Sequence, residues 1–237
     1  MSSSHFKADQ VKGYQDIIDD EFSSLNYLAL SKLLLKEDEE YKGLTTEYEA
    51  VLVILTGKAS VSCGGNHWSE LGERNKVFEG KATVVYIPCQ TEYKVIADSD
   101  VCIAVCKAKA EEKFKPFIVQ PDDIVVNQRG GGNWNREVHD IIPDSMKNRV
   151  QRIIVGETFN SSGEWSSYPP HKHDRDNYPE EVDLEEIYHY QIEPEQGFGV
   201  QLRYTNDGIT DEAYTVRNGD SFAISEGYHP IVCCWRL

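Results

Sequence analysis

Ser166-Ser167-Tyr168-Pro169-Pro170-His171-Lys172-His173-Asp174 carries two histidines separated by one residue. In an extended segment, residues two apart share a face, so His171 and His173 can aim both imidazoles at one point while Lys172 points away. Thirteen residues after His173 comes Glu186, and 43 residues further His229 follows a Gly227-Tyr228 turn. Three imidazoles and one carboxylate with open positions suit a catalytic divalent ion, Zn, Mn, Fe or Ni. A structural zinc would favour closely spaced sulfur ligands, and no Cys-x-x-Cys pair occurs. A His-x-His alone is common in solvated loops; the added Glu186 and His229, both in β-like surroundings, turn it into a ligand set. Glu185 competes with Glu186 as the carboxylate. His189 falls on the opposite strand face from Glu186, and His5, His67 and His139 have no partner in sequence, so these four are expected to be structural.

The elements that must position this set read as β. After a helical candidate at residues 14–40, short Val/Ile/Tyr-rich runs recur between Gly, Pro, Asn and Asp, the rhythm of a sandwich or barrel. Residues 109–149, with Gly130-Gly131-Gly132, interrupt that rhythm before strands resume. The expectation is an all-β chain of two jelly-roll barrels with a short N-terminal helical segment. Residues 1–118 would form a barrel without metal ligands, 119–149 a linker with a glycine-rich loop, and 150–237 the metal-binding barrel.

The 237 residues include 40 acidic and 24 basic side chains, for a net charge of −16. Such a field disfavours nucleic acid and anionic membranes, and an anionic substrate would need local arginine. Apolar runs such as Val51–Leu55 are too short to span a bilayer, and the N-terminus lacks the apolar core of a signal peptide. Six scattered cysteines without a framework fit a reducing cytoplasm.

Together, Arg129–Val138 (RGGGNWNREV), Gly163–Asp174 (GEWSSYPPHKHD), Leu184–Tyr188 (LEEIY), Glu195–Phe198 and Gly227–Pro230 resemble the 5-deoxy-glucuronate isomerase family of inositol catabolism, within the cupins. The resemblance implies a two-barrel cupin that interconverts 5-deoxy-D-glucuronate and 2-deoxy-5-keto-D-gluconate. It implies one divalent metal, zinc foremost, on His171, His173, Glu186 and His229, with Glu186 preferred because Ile-Tyr follows it. A cytoplasmic homo-oligomer is implied as well. Two departures stand out: Ser225 replaces a usual proline, and relatives continue beyond Cys233-Cys234, so a shortened, incomplete second barrel and impaired activity are expected. For proton transfer the candidates are Tyr188, Gln201 and Arg203. For the substrate they are Arg129, Arg136 and Arg203 on the carboxylate and Tyr168 on the pocket wall. The competing functions are a metal-dependent dioxygenase on the same barrel and a sugar-binding relative without turnover.

Overall fold

A computed structural model describes residues 4–7, 11–21 and 23–234. The strands of the first half are β1 (His5–Lys7), β2 (Gly13–Ile18), β3 (Leu28–Leu35), β4 (Glu40–Leu44), β5 (Tyr48–Thr56), β6 (Ala59–Cys63), β7 (Asn66–Leu71), β8 (Thr83–Ile87), β9 (Glu92–Ala97), β10 (Val101–Lys109) and β11 (Phe117–Val119). Those of the second are β12 (Val125–Arg129), β13 (Arg136–Ile142), β14 (Val155–Asn160), β15 (Trp165–Ser166), β16 (Glu186–His189), β17 (Gly199–Tyr204), β18 (Asp211–Val216), β19 (Asp220–Ile224) and β20 (Ile231–Cys233).

Alternation along β5 shows how the first barrel is built. Ala50, Leu52 and Ile54 face a core shared with Leu33, Val61, Val95 and Ile103. Val51, Val53 and Leu55 face the opposite way, into a second core with Ile141, Ile142, Val150 and Ile153. A six-stranded sheet, β11-β8-β5-β10-β3-β2, is thus buried on both faces. One face closes against the four-stranded sheet β4-β9-β6-β7, the other against the second half. That second half comprises the sheets β12-β13-β14, β15-β20-β17-β18 and β1-β19-β16. Its own core gathers Tyr190, Val216, Phe222, Ile224 and Ile231.

The N-terminal helical segment expected within residues 14–40 is not there: the described part forms β2 and β3 around a turn. The reason is burial on both faces of β3, which removes the alternation that marks a half-exposed strand. The only helical turns among the described residues are the 3-10 pieces Pro121–Asp123 and Asp144–Met146. None of the helices among these residues is long and apolar enough to cross a membrane.

Two arrangements tie the halves together. The stretch 119–149, expected as a linker, carries β12 and β13, paired to β14. Strand β1 crosses over to pair with β19, aligning His5 with Phe222. The C-terminal residues 235–237, on which part of the shortened-barrel expectation bears, lie outside the described residues.

Candidate metal centre

His171 and His173 sit in an irregular segment just after the Tyr168–Pro170 turn, outside the strand their spacing suggests. Lys172 between them turns away, donating to Asp174 at 2.8 Å and Glu181 at 2.7 Å. Asp174 in turn accepts from the Gly227 amide at 2.7 Å, joining the two histidines to the turn that bears the third. Gly227 has φ +90°, and a Cβ there would stand 2.9 Å from the Tyr204 carbonyl oxygen, so this turn requires glycine.

The ring nitrogens of His171, His173 and His229 lie within 4.8 Å of one another. Glu186, at the start of β16, completes the group: Oε1 is 3.2 Å from His173 Nε2 and Oε2 is 3.4 Å from His229 Nε2. His229 is fully buried, and its Nδ1 faces the Gly227 carbonyl at 2.8 Å. Because a carbonyl only accepts, Nδ1 carries the proton and Nε2 presents its lone pair to the cluster. His171 does the same more loosely, with Nδ1 3.2 Å from the Pro169 carbonyl.

Partial burial raises the Glu186 carboxyl pKa, yet the hydrogen bond from His173 and the neighbouring histidines hold it down to about 2. His173 is pushed up chiefly by Glu186. Burial pushes His229 down, aided by its two histidine neighbours and opposed by Glu186. Glu186 Oε2 and His229 Nε2 are both buried and neither makes a hydrogen bond. Two lone-pair atoms facing each other at 3.4 Å in a dry site are costly unless a cation lies between them. The donor set therefore fits a divalent ion.

Glu185 takes no part. Its carboxylate accepts from the backbone amides of Asn26 at 2.6 Å, Tyr27 at 2.9 Å and Leu28 at 3.1 Å. Among the other histidines, His5 meets Asp220, His67 meets Ser62, His139 meets Glu137 and His189 meets Ser221, each at 2.8 Å, as their isolation in sequence predicts.

A cavity of about 630 Å³ opens beside the cluster, with His171, Glu186, Tyr188, Ser167, Arg129 and Arg136 on its wall. Arg129 and Arg136 are direct cross-strand partners on β12 and β13. Like charges directly opposite each other are unfavourable unless an anion joins them. Arg129 lies 3.6 Å from Asp140, and Arg136 donates to the Tyr168 carbonyl at 3.4 Å. Tyr168, expected on the pocket wall, is not among the residues lining the cavity; its ring rests against Trp134 and Trp165 with centroids about 6 Å away.

Tyr188 exchanges a 2.7 Å hydrogen bond with Ser167. Burial, then the charge of Glu186, raises its pKa well above that of an ordinary tyrosine. Gln201 and Arg203 stand apart from the cavity wall. Gln201 is fully buried, with its amide engaged by Tyr190 and by the His229 carbonyl. Arg203 donates to Ser4 at 2.6 Å and lies 3.6 Å from Glu226. Ser167 and Tyr190 carry no sequence signal as site residues, since no motif spacing marks a hydroxyl that serves another side chain.

A profile of the KduI/IolB family matches residues 2–235. The chain belongs to the KduI/IolB family. It is 40% identical over 206 residues to the 5-deoxy-glucuronate isomerase of Geobacillus kaustophilus, covering 86% of this chain and 74% of that one. Its identity to the same-named protein of Bacillus subtilis strain 168 is 37% over 210 residues, covering 88% and 77%. The IolB-like protein of Salmonella typhimurium LT2 superposes with a TM-score of 0.92 at 33% identity, covering 98% of this chain and 88% of that one. An oxalate decarboxylase from Lactobacillus farciminis superposes at 0.70 with 12% identity, covering 100% and 84%, which establishes the shared cupin fold alone.

Proposed function

We propose that this chain is a metal-dependent aldose–ketose isomerase converting 5-deoxy-D-glucuronate to 2-deoxy-5-keto-D-gluconate in inositol catabolism. The observation that carries the reading is the convergence of His171, His173, His229 and Glu186 beside a cavity whose wall bears two facing arginines. Those four residues would hold the ion, zinc foremost, with Mn, Fe or Ni as alternatives of similar donor preference. When bound, a divalent ion supplies Lewis-acid stabilisation of negative charge on the substrate's carbonyl and hydroxyl oxygens.

Shifting a carbonyl from C1 to C2 requires a proton to leave C2 and another to reach C1. Arg129 and Arg136 hold the substrate carboxylate, satisfying the charge that otherwise sets the two guanidinium groups against each other. Tyr168, set against Trp134 and Trp165, lies outside the cavity wall and touches the site through its carbonyl, which accepts from Arg136. Tyr188, braced by Ser167, is kept protonated by its raised pKa and so acts as a hydrogen-bond donor to a substrate oxygen. Gln201 and Arg203 support the frame, and neither reaches the cavity wall.

A metal-free barrel within 1–118 and a metal barrel after it are supported by the cores around Leu52 and around Phe222, with 119–149 lending β12 and β13 to the second half and β1 strapped to it. A homo-oligomer is supported by edge strand β12, where Val125 and Val126 are exposed. A reducing cytoplasm is supported by free thiols at Cys63, Cys89, Cys102 and Cys106. Product formation from 5-deoxy-D-glucuronate without oxygen uptake tests the function; oxygen consumption coupled to substrate loss would point to the dioxygenase instead.

A further inference from the structure

Behind His229, the fully buried Gln201 of β17 uses both ends of its amide. Oε1 accepts from the Tyr190 hydroxyl at 2.8 Å. Nε2 donates to the carbonyls of His229 and Leu202, each at 2.8 Å, with the Pro230 carbonyl at 3.4 Å. Only the NH2 end can face carbonyls, so the Tyr190 hydroxyl must donate to the other end and the orientation of the pair is determined. Tyr190 is itself buried.

The turn that carries His229 joins β19 to β20, with no regular strand between Ile224 and Ile231. It is held from one side by Asp174, which accepts from the Gly227 amide. Gln201 holds it from the other through the His229 carbonyl. The imidazole then takes its direction from the Gly227 carbonyl and points Nε2 at Glu186.

We propose that the Tyr190–Gln201 pair is a positioning device that holds His229 in ligating geometry and thereby sets the affinity of the site for a divalent cation. This rests on the ligand assignment above. A leucine at position 201 fills similar volume but leaves the His229 carbonyl without its side-chain donor in a dry site, so the turn relaxes and the imidazole with it. Groups that orient a metal-ligating histidine typically change affinity 10- to 100-fold when removed.

The test is zinc affinity by chelator competition for wild type, Gln201→Leu and Tyr190→Phe, at a temperature well below the melting midpoints of the metal-free proteins. Gln201→Leu should weaken zinc binding about 10- to 100-fold, and Tyr190→Phe, which removes only the brace, about 3- to 10-fold. A role in packing alone would lower the metal-free melting temperature and leave zinc affinity within twofold of wild type, which would overturn the inference. Should Gln201→Leu fail to fold, an unchanged affinity in Tyr190→Phe overturns it just as well. A wild-type chain that binds none of zinc, manganese, iron and nickel overturns the ligand assignment itself, and this inference with it.

Discussion

Glu185 and Glu186 are chain neighbours whose carboxylates serve opposite sides of the structure. Glu186 faces His173 and His229, whereas Glu185 clamps three successive backbone amides of residues 26–28 in the other half of the chain. Glu49 answers it from the first barrel: fully buried, it accepts from the amides of Gln151, Arg152 and Ile153. Each half thus lends one carboxylate to the backbone of the other.

Neutral substitutions should separate the two glutamates. Glu186→Gln keeps the shape but loses the ligand charge, so bound metal should fall while the melting temperature of the metal-free chain stays close to wild type. Glu185→Ala leaves backbone amides without an acceptor and should cost about 2 kcal/mol of stability, with metal stoichiometry unchanged. Metal analysis and denaturant unfolding of the two variants check this; metal loss in Glu185→Ala would reverse the assignment.

His173→Ala removes one of three imidazoles and should weaken metal binding by more than about 100-fold, beyond the usual effect of an outer partner. The β-fold should persist, because His173 belongs to no strand and no hydrophobic core cluster. Far-UV circular dichroism alongside metal content would show both; stoichiometric metal in the variant would contradict the ligand set.

Arg136→Ala should raise KM for the sugar acid about 10- to 100-fold, the worth of a charge-assisted hydrogen bond. Stability should not fall, since the change relieves repulsion from Arg129 directly across the ladder. Steady-state kinetics and a melting curve test the two halves of this statement; an unchanged KM would remove Arg136 from the substrate site.

Much of this site is legible because a metal demands particular atoms at spacings a strand periodicity can interpret. His171 and His173 converge although no strand carries them, and Lys172 turns outward. What stays hidden are relationships with no local period. Leu28–Leu35 is apolar on both faces, which blurs helix and strand. Nothing around Glu185 names residues 26–28 as its partners, and nothing in His5–Lys7 points to β19, more than 200 residues away. Gln201 looks like a polar group free for chemistry until its partners are seen: a tyrosine, and a carbonyl 28 residues away.

His189 gives a pH prediction. Burial, then the charge of Lys32, lowers its pKa from 6.5 to about 4. The folded chain therefore binds this proton more weakly than the unfolded chain, and unfolding takes up a proton between those values. The stabilisation is complete above about pH 6.5 and is lost as pH falls toward 4, in total on the order of 3 kcal/mol. Urea unfolding of metal-free wild type and His189→Gln across this window should show a shallower decline in the variant; parallel declines would contradict a neutral imidazole at this position.

The most direct measurement is an NMR time course of 5-deoxy-D-glucuronate with the purified, zinc-loaded chain, run with and without a chelator. Appearance of 2-deoxy-5-keto-D-gluconate that stops on chelation and resumes with added zinc is the predicted result. An unchanged rate after verified removal of the metal, or no conversion by a folded, metal-loaded chain, would contradict the metal-dependent isomerase.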